Sequence, residues 1–454
     1  MSGSEKKTTS ISFMAVIAVS LSTMIAMLDS TIANVALPVI ASDFKVTPSE
    51  SILIVNAYQF AVVAFLLPLA ALGKTVGNKR IFEAGVLFFA LSSLGCASSE
   101  SLGELTLFRI IQGAGAAAIL SVNAALIKEI YPARLLGRGL SINVMIVSVS
   151  AAAGPSIAAA ILSVTSWNWL FTINGPIAVV SLLLSIFFLK KRPLPEVHFD
   201  MAGALLMFAV AMSFSLCIFG LTRDLPLMAT ISFDALILLL IGLYQNQKSK
   251  TDAALIPVRF FRNRTLSLSL IMSTLSYSTQ LLAYVSLPFY FHETLKRSVV
   301  QTGLLLTAWP LATTITAMIA GELVKKINCH LLAVAGLSIL MVGMLLLIFL
   351  PSAPGDADII WRVAICGMGF GFFQSPNNYH IMASVSSGDA SVASGLLGSA
   401  RVIGQITGSA MVAILFNLDN KYAIEYALIA GATFSFLSCC VSCLRYRSEQ
   451  SSNS

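Results

Sequence analysis

Asp29 is the only charged residue between Phe13 and Ser42, and Arg109 is the only one between Leu105 and Ile127. Each interrupts an apolar run long enough to cross a bilayer, where an ionised group is costly unless it faces a cavity or a partner. At about 1.5 Å of rise per residue, Asp29 lies roughly 24 Å from the Phe13 end of its run. Arg109, on a run going the other way, lies roughly 6 Å below the far boundary of a ~30 Å apolar layer. The two charges sit at similar depth and can pair. A carboxylate beside a permanently charged guanidinium is poised for reversible protonation. The alternative is a static ion pair that only fixes helix packing. Asp234 lies about 12 Å into a third apolar run with no basic residue in it, so it is either protonated, as an accessory site, or in contact with another helix. Asp29, Arg109 and Asp234 are the candidate proton-coupling residues.

A second set carries amides and aromatic rings in apolar runs: Asn34, Tyr58, Gln59, Gln112, Asn123, Trp309, Gln374, Asn377 and Asn378. Such groups suit a binding cavity for flat amphiphiles, and serve equally as interhelical hydrogen bonds. Gly154-Pro155 could gate, where a bend frees carbonyls, and Lys74 and Gly77 lie in a basic turn after the second run. Gly154-Pro155 reads as a hinge or seal, or as a packing kink. The seven cysteines show no metal-ligand spacing, and no metal or cofactor is expected. No Walker A loop is present, so any pumping draws on an ion gradient.

The elements that position these groups are membrane helices. Hydrophobic residues make up 57% of the 454 and charged ones 11%, against roughly 25% charged in soluble domains. Windows of about 20 apolar residues place fourteen spans near 12–40, 50–72, 81–98, 104–127, 139–163, 168–189, 201–221, 226–244, 266–290, 300–321, 330–350, 359–383, 391–416 and 424–444. With the N-terminus placed inside, Lys45, Arg223, Lys296, Arg297 and Lys421 fall outside and Arg109, Arg362 and Arg401 within spans, leaving 20 of the 28 basic residues on the inner side. That asymmetry predicts cytoplasmic termini and cytoplasmic linkers at 190–200 and 245–264. The +7 net charge is a topology signal and points to no nucleic acid.

The chain also repeats itself. Leu37-Pro38 recurs as Leu287-Pro288, Asn56-Ala57-Tyr58 as Thr307-Ala308-Trp309, Gly113-Ala-Gly115 as Gly367-Met-Gly369, Asn123 as Asn377 and Gly154 as Gly408, all at offsets of 250–254. Two six-span copies, 1–189 and 265–454, flank two inserted spans in 190–264. Parallel repeats with a midplane cavity are a transporter architecture. The fold expected is an all-α polytopic membrane protein of two six-helix bundles plus two inserted helices.

These residues resemble the major facilitator superfamily, and within it the fourteen-span drug:proton antiporters of the EmrB/QacA kind. Leu28-Asp29 through Leu37-Pro38 is similar to that family's span-1 signature. Arg109 with Gln112-Gly113 resembles its span-4 motif, whose arginine the resemblance implicates in proton coupling. Gly154-Pro155 resembles the antiporter motif of span 5, and Ser166-Trp167-Asn168-Trp169 through Asn174-Gly175-Pro176 the start of span 6. Two departures stand out. Lys74 occupies the place of the family's gating aspartate and Thr75 that of an arginine, and Ala158-Ala159 replaces Gly-Gly. The family's inner-gate charge relay therefore does not carry over intact.

The resemblance implies proton-coupled efflux of lipophilic, often cationic drugs or biocides across a bacterial inner membrane, by a monomer whose partners are a small-molecule substrate, protons and the bilayer. The alternative is export of one endogenous metabolite or siderophore. An enzyme would need a convergent nucleophile, base or metal set, and the four histidines are scattered.

Overall fold

The computed structural model describes residues 13–132, 135–190, 200–222, 225–249, 258–324, 326–351, 353–385, 390–418 and 422–453, and all of their regular structure is helical. The first group of helices is α1 (Phe13–Phe44), α2 (Pro48–Ser51), α3 (Leu53–Val76), α4 (Asn78–Ala97), α5 (Leu102–Ile130), α6 (Leu136–Leu162), α7 (Asn168–Thr172) and α8 (Asn174–Phe188). Next come α9 (Met201–Thr222) and α10 (Pro226–Ser249). The last group is α11 (Arg264–Phe289), α12 (Val299–Leu323), α13 (Cys329–Ile348), α14 (Asp356–Ala383), α15 (Ala390–Leu418) and α16 (Ala423–Asn453). Of the linkers expected at 190–200 and 245–264, residues 191–199 and 250–257 lie outside those described, and 245–249 belong to the end of α10.

Local chemistry sets the helix ends. Thr47 and Glu50 form a reciprocal capping box with Pro48 at the first helical position, so α2 starts there and turns at Ile52 into α3. Gly77, at φ 102° and ψ 130°, ends α3 and starts α4; the positive φ is one that a side chain would resist. Ser101, Asn263 and Ser298 cap α5, α11 and α12 through their side-chain oxygens. Pro38, Pro155, Pro288 and Pro310 lie inside helices, which membrane packing tolerates.

Eleven of the described helices are long and apolar enough to cross a membrane, α2–α3 and α7–α8 each counting once. α6, α11 and α14 are not among the eleven, although they are 27, 26 and 28 residues long. In α11 the hydropathy is diluted by Ser269, Ser273, Ser276, Ser278, Thr279 and Ser286, all buried against neighbouring helices rather than facing outward. The outer surface is apolar: Phe187, Leu227 and Leu238 are exposed, as lipid contact requires.

α3, α4 and α5 pack together and α1 packs on α6 and α8; likewise α12, α13 and α14 pack together and α11 packs on α15 and α16. The sequence repeat reappears in these contacts. A Cβ on Gly113 would overlap the carbonyl oxygen of Tyr58, and one on Gly367 that of Trp309. Asn123 donates to Thr23 of α1, and Asn377 donates to Ser273 of α11 at 2.8 Å. The two groups meet along α6 and α12, α3 and α15, and α1 and α11. α9 and α10 pair with each other, and α9 also leans on α3 and α15.

Candidate functional site

Asp29 of α1 and Arg109 of α5 form an ion pair from which solvent is excluded, the side chains being 2% and 1% exposed. Both groups hold further hydrogen bonds. Asp29 Oδ1 accepts from Gln112 Nε2 at 3.1 Å and from Asn174 Nδ2 at 2.9 Å. Arg109 Nη1 donates to Asp29 and to Gln112 Oε1 at 2.7 Å, and its Nε donates to the Ile54 carbonyl at 3.3 Å. Gln112 Nε2 also donates to Ser93 Oγ at 2.8 Å. Such hydrogen bonding is what makes a buried charge pair tolerable. Five helices contribute, so the pair ties α1, α3, α4, α5 and α8 together.

A cavity of about 550 Å3 lies between the two groups of helices, within the range that holds a drug-sized molecule. Asn34, Tyr58 and Gln59 form part of one side; Tyr277, Tyr284, Gln374, Asn378 and Arg401 form part of the other. Asp29 and Arg109 are not in its wall. Tyr58 stands between: its ring centroid is 4.3 Å from the Arg109 guanidinium carbon, its hydroxyl donates to the Ala26 carbonyl at 3.1 Å, and it lines the cavity.

One end of the cavity is sealed. Ser156 and Thr307 hydroxyls bond at 2.7 Å, Ser49 Oγ donates to the Ala413 carbonyl at 2.9 Å, and Ser409 Oγ donates to Asn56 Oδ1. A Cβ on Gly303 would lie 2.6 Å from the Pro155 carbonyl oxygen, so α6 and α12 touch backbone to backbone. Gly154 packs on Thr31 of α1. Toward the other end the wall residues Met145, Val149 and Met318 are exposed.

A family model described as "Major Facilitator Superfamily" matches residues 19–409. The chain belongs to that superfamily. Among curated relatives, this facilitator is 44% identical over 445 residues to "Uncharacterized transporter YebQ" of Escherichia coli (strain K12), covering 96% of each chain. It is 29% identical to "Riboflavin transporter RibZ" of Clostridioides difficile (strain 630), over 87% of this chain and 86% of the relative. It is 26% identical to "Multidrug resistance protein Stp" of Mycobacterium tuberculosis (strain CDC 1551 / Oshkosh), over 87% and 74%. The crystal structure of a bacterial homologue of the human lysosomal transporter Spinster, inward-facing and occupied, has a TM-score of 0.70 at 14% identity, covering 95% of this chain and 96% of that one. That likeness shows the fold.

The facilitator's other sequence-selected residues divide between cavity and scaffold. Asn34, Tyr58, Gln59, Gln374 and Asn378 line the cavity. Gln112 belongs instead to the Asp29 cluster. Asn123 and Asn377 point the other way, into helix contacts, where Arg445 Nη1 donates to Asn377 Oδ1 at 3.0 Å. Trp309 is fully buried and packs edge-on against Tyr284, 5.4 Å between ring centres. Asp234 is exposed on α10, whose main contact is α9, and the structure does not bring it to the Asp29–Arg109 pair or to the cavity. Lys74, expected in the turn after the second run, falls in the last turn of α3, and its side chain lies outside the described residues. Beyond that turn Asn78 Nδ2 donates to Glu129 Oε1 at 2.8 Å, tying the start of α4 to the end of α5.

Arg401 is the wall residue that sequence reasoning passed over, counting it only as a charge within a span. A signal was present: Arg401, Gln405 and Ser409 recur at intervals of four, a polar stripe on one face of α15.

Proposed function

We propose that this facilitator exports small amphiphilic molecules in exchange for protons, binding them in the central cavity and coupling through Asp29 and Arg109. Tyr58 carries the reading: one aromatic ring is both cavity wall and cover of the charge pair. A substrate stacking on Tyr58 displaces the ring from the guanidinium and opens a path to Asp29. Protonating Asp29 removes the charge that Arg109 holds and frees Gln112 and Asn174 to re-pair, a local change that α1 and α5 transmit to the bundle contacts. Arg109 stays charged throughout, so it biases the carboxylate without titrating. One proton moving down ~100 mV supplies about 2.3 kcal/mol, roughly a fifty-fold substrate gradient.

The proposal includes fourteen crossings: the eleven apolar helices plus α6, α11 and α14, each longer than the ~20 residues that a span needs. It takes 1–189 and 265–454 as the rocking halves and 190–264 as the insert, in one chain that works as a monomer. The basic asymmetry puts both termini in the cytoplasm of a bacterial cell, so the sealed end faces outward and the cavity opens inward. Gly154, Pro155 and Gly303 form the outer seal. Asp234, on the insert, is left as an accessory proton site.

The relatives named as multidrug resistance proteins support drugs or biocides as cargo. The relative named as a riboflavin transporter favours a second reading, export of one particular metabolite. Cationic cargo is what the family resemblance implies, but Asp29 offers it no charge in the cavity wall, because the Tyr58 ring covers the ion pair. The test of coupling is pH change on substrate addition in proteoliposomes. Wild type acidifies or alkalinises the lumen with substrate flux, whereas Asp29→Asn inserts normally and moves neither. Normal proton-linked transport by Asp29→Asn would sink the proposal.

A further inference from the structure

The cavity wall holds one formal charge among the described residues, and it is positive. Arg401 of α15 lines the cavity and makes no hydrogen bond or ion pair with any described residue. The other two arginines that the sequence places within spans are both occupied. Arg109 has Asp29, and Arg362 has Asp358 at 3.1 Å together with the Leu346 and Phe349 carbonyls. An unpaired guanidinium at membrane depth is expensive, and its planar fork of five donors matches a carboxylate or similar oxyanion. Its charge reaches the hydroxyls of Tyr58 and Tyr277, one from each half.

Another part of the wall, on α1 and α3, has the reverse polarity. Asn34 and Gln59 are each 3% exposed, both line the cavity, and Asn34 Oδ1 and Gln59 Oε1 have no hydrogen-bond partner among the described residues. The Asn34 orientation is set by its Nδ2, which donates to the Ser30 carbonyl at 3.4 Å and so turns the oxygen away from its own helix. A buried acceptor without a donor costs stability unless a ligand supplies one. The same wall carries the rings of Tyr58, Tyr284 and the Tyr277–Phe370 pair, the last two 5.2 Å apart edge to face.

We propose that the cavity selects aromatic molecules bearing both an anionic group and N–H or O–H donors, with Arg401 as the counter-charge and Asn34 and Gln59 as the acceptors. This deepens the export reading by naming the substrate class, and reverses the preference for cations.

Rhodamine 110 and its methyl ester, rhodamine 123, share the xanthene ring and its amino donors and differ in one free carboxylate. Their binding to the full chain in phosphatidylcholine nanodiscs, read by fluorescence anisotropy against empty discs, isolates that group without any gradient. Wild type should bind rhodamine 110 about tenfold more tightly than rhodamine 123, as a charge-assisted pair implies. Arg401→Gln should erase the difference while leaving rhodamine 123 binding in place, and Arg401→Lys should keep part of it. Gln59→Leu should weaken both dyes together. Equal or reversed affinities in wild type, binding of neither dye, an undiminished difference in Arg401→Gln, or unchanged binding in Gln59→Leu would each overturn the proposal. Loss of rhodamine 110 binding when phosphatidylglycerol enters the discs would do so too, assigning Arg401 to a lipid headgroup. A facilitator that binds as expected yet shows no proton-linked flux loses the coupling reading and keeps this one.

Discussion

The Tyr58 ring lies over Arg109, 4.3 Å from centroid to guanidinium carbon, and closes the charged cluster off from the cavity that the same ring helps to line. Phe171 approaches the guanidinium as well, at 5.6 Å. A cation between aromatic faces is stabilised by about 0.5–2 kcal/mol, little enough for a bound substrate to compete with.

Tyr58→Phe should retain coupled transport within a few-fold, because it keeps the ring and loses only the hydroxyl bond to Ala26. Tyr58→Leu should lose coupling while substrate still binds. Parallel measurement of substrate affinity and substrate-driven proton flux separates the two; equal behaviour of both variants would remove the ring from the mechanism.

Removing one member of the pair should be costly. Asp29→Ala leaves Arg109 buried beside amides alone and is expected to lower stability by about 3–5 kcal/mol. Asp29→Asn keeps an acceptor oxygen at the same place and should cost less. Thermal unfolding in detergent should rank wild type above Asp29→Asn above Asp29→Ala, and Arg109→Lys should impair proton flux because an ammonium cannot reproduce the fork.

The seal between α6 and α12 can be trapped. Cysteines in place of Ser156 and Thr307, whose oxygens are 2.7 Å apart, should cross-link under oxidation and stop transport, with activity returning on reduction. Transport that continues while the bond is intact would show that this end never needs to open.

Gly77 holds a backbone conformation of the kind that costs other residues about 1–3 kcal/mol. Gly77→Ala should therefore lower the melting temperature or the yield of folded protein more than Gly103→Ala, where a Cβ would meet nothing within 4 Å. Matching melting curves would contradict the strain argument.

Sidedness is testable without a structure. A cytoplasmic reporter fused at position 195 should be active and a periplasmic one silent, because the basic residues of that linker belong to the inner side. The reverse result would invert the topology.

The sequence by itself determined the membrane class, the internal repeat and the common depth of Asp29 and Arg109. Hydropathy and rise per residue are one-dimensional quantities, and a helix converts them directly into depth. It also supplied the small residues Gly113, Gly154 and Gly367 at helix contacts. What it left open was rotation about each helix axis. In lipid the outward face is as apolar as the packed one, so no amphipathic stripe marks the inward side as it does in water. Tertiary packing made that choice. Backbone contact of Gly113 with Tyr58 brings α3 against α5, with the Tyr58 ring between Arg109 and the cavity. Packing of α15 on α11 and α3 turns Arg401 inward, and α10, with little beyond α9 to pack on, leaves Asp234 outside. Asp29 is the charge that stands out in the sequence, and Arg401 is the one that lines the cavity, because contacts hundreds of residues apart set which way each helix faces.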